Sequence, residues 1–208
     1  MSWTVWLMAA LAYGAFLAWY TNWRGPLRPE EIDRFLELTV ATPGAAHNDL
    51  AIIREFLEHD DGREFMMLNV VKIAEGEAAH PDSGQMQPAP KLMRHYMRSF
   101  LPLVLRHGGH PAIAARKIGG YVDAWNVAPD PGWTLMGWVR YRSRRDMMEL
   151  VVDPGFSRLH PFKIVGTAQT FSFPTRPMLT LFAGPRVWVA LVVALVAALA
   201  QICALLQS

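Results

Sequence analysis

Hydrophobic positions run without interruption at both ends of the chain and fall into periodic patterns between them. Met1 to Trp23 and Val187 to Ser208 contain no charged side chain. At 1.5 Å of rise per residue, about 20 helical residues cover the roughly 30 Å of bilayer hydrocarbon. Both ends are therefore expected to be transmembrane helices, over 1–24 and 177–208. In the first, Trp3 and Trp6 stand near one edge and Trp19, Tyr20 and Trp23 near the other, where amphipathic rings lie at the lipid–water boundary. A cleaved leader needs a basic start and a small-residue cleavage site; this segment starts without Lys or Arg and ends in Trp23-Arg24, so it reads as an anchor.

Small residues mark helix faces that allow close approach in lipid. Gly14 in the first segment and Ala190, Ala194 and Ala198 in the second are the expected packing positions. Arg24, Arg28 and Arg34 follow the first segment, and Arg176 and Arg186 flank the start of the second. Positive charge stays on the cytoplasmic side. The expectation is a two-pass membrane protein with a cytoplasmic central domain.

Residues 25–60 read as an amphipathic helical linker. "RPEEIDRFLEL" places Pro29 at a first helical position, two acids in the first turn, and Ile32, Phe35 and Leu36 on one face. "HNDLAIIREFLEHDDG" repeats the grammar, with Asn48 as the cap and Ile52, Ile53, Phe56 and Leu57 as the apolar stripe.

From 61 to 176 the period changes. "EFMMLNVVKIA", 64–74, is a nearly continuous apolar run that suits a central strand. A polar loop over 75–90 follows, a lid or an insertion, and then an amphipathic helix in "KLMRHYMRSFLPLVLRHGG" with Met93, Tyr96, Met97, Phe100, Leu101 and Val104 at spacings of three and four. "HPAIAARKIGGYVDAW" predicts a second strand, "WTLMGWVRYRS" a third, "RRDMMELVV" a short helix and "KIVGTAQTFSFPT" a fourth strand. That order gives an α+β fold class: a ferredoxin-like βαββαβ antiparallel sheet domain between two transmembrane α-helices. Helices cover one sheet face, and the other needs cover from elsewhere.

Composition narrows the chemistry. The single cysteine, Cys203, lies in the second apolar segment, so neither an intrachain disulfide nor a thiolate metal cluster can form. A net charge of +2 with no basic stripe gives no footprint for nucleic acid. His107 and His110 are separated by the Gly108-Gly109 break with no carboxylate nearby, no phosphate loop or nucleophile elbow appears, and no cofactor is expected.

Four stretches, "DDGREFMMLNVVKIAEG", "LPLVLRHGG", "GWTLMGWVRYRSRRDMMELVVDPGF" and "HPFKIVGTAQTFSF", together resemble the DUF1330 group of the dimeric α/β-barrel superfamily over about residues 60–175. That group has a similar "MLNLL-K" strand, a helix ending in "GG", and a "V-YPSR" junction followed by "DP-Y". Here the junction reads "YRSRR", and the two apolar ends are additions to the small form. The resemblance implies a ferredoxin-like fold whose second sheet face is covered by another copy. It does not imply an activity, because the fold hosts heme-binding proteins, cofactor-free monooxygenases, isomerases and binding modules.

Polar residues able to enter a pocket between sheet and helices are Asn69, His95, Tyr96, Tyr121, Arg140 and His160. An imidazole transfers protons near neutral pH, a guanidinium clamps an oxyanion and an amide orients a carbonyl. If at least two of Asn69, His95, Tyr121, Arg140 and His160 converge on a pocket between sheet and helices, a membrane-tethered cofactor-free monooxygenase-like or isomerase-like enzyme or binding module is favoured. If they diverge, the expectation is a non-catalytic accessory or scaffold subunit. Its partners are then the lipid bilayer and either a membrane protein complex or a second copy.

Overall fold

A computed structural model of the chain describes residues 2–178 and 183–206; Met1, 179–182 and 207–208, parts of the expected terminal helices, lie outside them. The chain divides into two compact units, one of residues 1–23 with 177–208 and the other of 24–176.

The first unit pairs two helices, α1 (Ser2–Tyr20) and α7 (Pro185–Leu206). Both are long and apolar enough to cross a membrane. The Tyr13 hydroxyl donates to the Arg186 carbonyl at 2.9 Å, and the Arg186 guanidinium lies 5.5 Å from the Tyr20 ring centre. The less exposed stripe of α7 runs through Ala190, Val193, Ala197, Gln201 and Ala204. Ala190 and Ala198 thus lie at the seam, Ala194 faces outward, and Gly14 is exposed with nothing within 4 Å of where a Cβ would stand.

In the second unit the sheet order is β4 (Gly109–Arg116), β5 (Leu135–Tyr141), β1 (Phe65–Ile73), β6 (Thr167–Thr175), every pair antiparallel. This is the ferredoxin-like arrangement. Side chains alternate across the pleat, so Phe65, Met67, Val71 and Ile73 of β1, with Leu135, Val139 and Tyr141 of β5, face the helices. There they meet Leu92, Met93, Tyr96 and Val104 of α4 (Ala89–Arg106), Leu150 of α5 (Arg144–Val151), and Leu159 and Phe162 of α6 (Pro154–Gly166). Met97 and Leu101 of α4 are exposed, so the buried stripe passes through Leu92 and Leu103 instead.

Residues 25–60 form no separate linker but pack into the same unit. Ile32, Phe35 and Leu36 of α2 (Pro29–Val40) and Leu57 of α3 (Leu50–Glu58) close on Met148, the outward side of α5. Asp49, not Asn48, caps α3, its carboxylate accepting the Ala51 and Ile52 amides at 2.8 and 3.3 Å. Ile52 is exposed.

Three segments depart from the sequence reading. The 75–90 stretch is a hairpin of β2 (Glu77–Ala79) and β3 (Met86–Pro88), turned at Gly84 with φ +70° and laid against the core through Ala78. Residues 121–125 are not strand; β4 ends at Arg116, and a loop runs to β5. Residues 163–166, expected to open the last strand, finish α6, which Asp153 caps by accepting the Gly155 amide.

Gly166 stands where α6 crosses α4, and a Cβ there would lie 3.0 Å from the Met93 amide nitrogen. Backbone cannot yield as a side-chain tip does. Gly166→Ala is expected to destabilise the domain by about 1–3 kcal/mol, read as a lowered thermal midpoint. Gly76→Ala, with open space around its Cβ position but a φ of +71°, tests backbone strain without the clash.

Candidate functional site

The arginine-rich junction after β5 builds the most densely bonded polar cluster of the 24–176 unit. Its side chains are positioned by α5, whose first turn Ser143 caps by accepting the Asp146 amide at 3.1 Å. Arg145, 3% exposed, donates to the Glu31 carboxylate at 2.9 and 3.0 Å and to the carbonyls of Gly25 and Pro26 at 2.9 and 3.0 Å. Arg144 bonds the Phe56 carbonyl, covers the Phe56 ring and lies 3.6 Å from Asp60. Asp60 in turn accepts the Leu27 amide at 2.9 Å, and Asp61 pairs with Arg176. Arg24 reaches Glu31 and Glu149 at 2.9 and 3.0 Å.

The Arg145, Arg24 and Asp60 bonds hold chain near residue 25, and the Asp61–Arg176 pair holds residue 176. Entry to and exit from the domain are thus pinned at one pole, beside the start of β1, where Met66 pairs with Thr175. The Arg145 hydrogen bonds bring the Glu31 pKa down from 4.5 to about 2.

At the opposite pole lies the β4–β5 loop. Phe65 to Val71 at about 3.3 Å per residue puts it about 20 Å away, because Val71 pairs with Leu135 and Leu135 with Arg116. The loop is closed at its base by the Lys117 amide on the Thr134 carbonyl and by a Lys117–Asp130 ion pair. Beyond that base, Ile118, Val122, Trp125 and Val127 are all more than half exposed.

The sheet face away from the helices continues this apolar character. Ile113, Trp138, Leu68 and Phe173 form one cross-strand row, and Ala115, Met136, Val70 and Phe171 the next. None of the eight belongs to a core cluster; Phe171 and Phe173 at the edge strand are 44% and 46% exposed, while Val70 on the central strand is 7% exposed. Four strands about 4.8 Å apart and seven to nine residues long make a face of about 500 Å², within the range of the largest apolar patch on a monomer, which is often functional.

The five sequence candidates fall in different places. Asn69 points to the helix side, where Ser172 donates to it at 2.8 Å. Arg140 points to the opposite face and bonds Glu64 at 3.3 Å. Tyr121 lies in the β4–β5 loop and accepts from the Trp133 indole at 3.0 Å. His95 is exposed on α4, its ring 4.7 Å from that of Phe162. His160 sits on α6, not in a loop, stacked on Phe156 and pressed against Gly44. Tyr96 is buried in the core, which pushes its hydroxyl pKa upward.

Two of the five border cavities, and different ones: His160 lines one of about 550 Å³ with His47, Asn48, Lys163 and residues of β6, and His95 lines one of about 570 Å³ with Arg106, Arg158 and Phe162. Burial, then the nearby Lys163 and His47 charges, lower the His160 pKa to about 4. Desolvation also lowers that of Lys163. Sequence reasoning passed over Lys163, although a lone lysine in the apolar run "PFKIVG" was a signal. Among the described residues, no group of three or more His, Cys, Asp or Glu is placed to hold a metal ion.

No protein-family model and no curated protein matches the chain. Among solved structures it is similar to RPA0582 of Rhodopseudomonas palustris, a protein of unknown function, at 19% identity and TM-score 0.54, covering 64% of this chain and 96% of that one. The methylated form of RPA0582 matches alike, at 19% identity and TM-score 0.54, over 65% and 96%. At this identity the likeness concerns the fold.

Removing Arg145 would take two hydrogen bonds from the Glu31 carboxylate, leaving it Arg24 and the Arg28 amide, and one from each of the Gly25 and Pro26 carbonyls. Arg145→Ala is expected to cost about 3 kcal/mol or more, the usual result of breaking one side of a buried pair. The depressed Glu31 pKa means its stabilisation is complete above pH 4.5 and is lost as pH falls toward about 2. Thermal midpoints of the wild type and Glu31→Gln are therefore expected to differ most above pH 4.5, and the difference to shrink below it and vanish only as pH falls through about 2.

Proposed function

We propose that this chain is a two-pass membrane protein whose ferredoxin-like domain lies on the cytoplasmic side and serves as a non-catalytic accessory or scaffold subunit of a membrane complex. The observation that carries this reading is the continuous apolar surface formed by the open sheet face and the β4–β5 loop. Trp138, Phe171 and Phe173 lie on the first and Val122 and Trp125 on the second.

The placement of the chain ends supports the same reading. With entry and exit clamped beside the start of β1, the loop stands at the far pole. A domain tethered to the bilayer at both ends suits docking better than free encounter with substrates. The divergence of Asn69, His95, Tyr121, Arg140 and His160 removes the convergent geometry that a catalytic reading requires.

The motifs resembling the DUF1330 group would make a second copy the natural cover for the open face. Two anchors per chain restrict how two such faces can meet, and a different membrane subunit satisfies the surface equally. The alternative, a small-molecule binding module, draws on the separate cavities beside His160 and His95.

Mild-detergent extraction from native membranes, using a tag in the exposed β2–β3 turn at Asp82, tests the proposal through the proteins recovered. Stoichiometric recovery with one membrane assembly is expected, and Trp138→Glu is expected to reduce it at least tenfold. Recovery as a lone monomer or homodimer would contradict the accessory reading.

A further inference from the structure

The cavity beside His160 has a chemical character that the docking reading does not use. Its walls come from the 45–48 turn, α6 and β6, and contain no aspartate or glutamate. The nearest acid in sequence, Asp49, is turned away to cap α3. Lys163 is half-buried and has no hydrogen bond or ion pair among the described residues. Lys117, in contrast, pairs with Asp130. An ammonium withdrawn from water without a counter-charge is costly, and an anion in the cavity would offset that cost.

The remaining wall groups suit the same ligand. Asn48 and Gln169 carry amide donors, and β6 is a terminal strand of the sheet, so one edge of its backbone runs along the cavity. His47 and His160 flank Lys163, and Ile164 contributes apolar surface. We infer that this cavity binds the carboxylate of a small organic acid, with Lys163 as counter-ion, the two imidazoles and the amides as hydrogen-bonding partners, and Ile164 against the ligand's carbon chain.

A single charge fits better than a double one. Lys163 is the one amine in the wall, with no arginine beside it, and His160 is held neutral at physiological pH by its burial. A volume of about 550 Å³ lies within the range of small-molecule sites.

Calorimetric titration of the full chain in detergent, with hexanoate, the neutral hexanamide and inorganic phosphate as probes, tests the site. Hexanoate is expected to bind at least tenfold more tightly than hexanamide. Lys163→Gln should abolish that preference, Lys163→Arg should retain it, and Lys91→Gln, on the exposed side of α4, should leave it unchanged. Thermal midpoints of all variants separate lost binding from lost folding. Equal affinity for the acid and the amide, no saturable binding of hexanoate, or an unchanged preference in a folded Lys163→Gln protein would overturn the inference. Tighter binding of phosphate than of hexanoate would overturn the choice of carboxylate. None of these outcomes bears on the open sheet face, so the docking proposal stands or falls separately.

Discussion

The fork of hydrogen bonds from Arg145 is the interaction on which the arrangement of the central domain depends. One guanidinium joins α5 to the Glu31 carboxylate of α2 and to the carbonyls of Gly25 and Pro26. A planar donor set can satisfy a carboxylate and two carbonyls at once, and a lysine ammonium in its place could not reproduce that geometry. The buried position of Arg145 makes these bonds structural, since a guanidinium withdrawn from water and left unpaired would be strongly destabilising. Around it, Arg144 with Asp60 and Arg176 with Asp61 extend the same logic to the chain's exit.

That clamp fixes what the domain presents. Helices α2 and α3 are held on α5, which is itself packed on the sheet, so three helical elements pile on one side. The other side keeps its two apolar rows with no helix of the unit over them. Polar function is then left to the margins, at the edge strand β6 and the α6 wall, where Lys163 and His160 border their cavity. Docking on the sheet and small-molecule binding at its edge meet at Phe171, which lies on the open face and also lines the cavity, and otherwise use different residues.

Periodicity made the sheet and most helices legible. The run 64–74 could only be a covered strand, and the Ile32, Phe35, Leu36 face identified α2. Where reading failed, a specific local signal was outweighed. In "DPGFSRLHPFKIVG" the β-branched Ile164 and Val165 favoured strand, yet Asp153 followed by Pro154 is a helix start, and the helix runs through Pro161 to Gly166. In 75–90 polarity favoured a loop, whereas Gly76 and Gly84 supply the turns of a hairpin whose Ala78 reaches the core. The clamp itself was beyond sequence: Arg145 and Gly25 are 120 residues apart, and only the packing of α2 against α5 joins them. Its arginines instead read as a strand exit to solvent. Of the candidate site residues, His160 was named, but its partners Lys163 and His47 come together through α6 and the 45–48 turn, neither of which the pattern revealed.

The central claim is that the open sheet face is a docking surface, and photo-crosslinking in native membranes tests it most directly. A photoreactive residue at Phe173, on the open face, is compared with one at Arg158, exposed on the helix side. A discrete adduct to one membrane protein at Phe173 and none at Arg158 is the expected result. No adduct at Phe173, or the same adducts at both positions, would contradict the account.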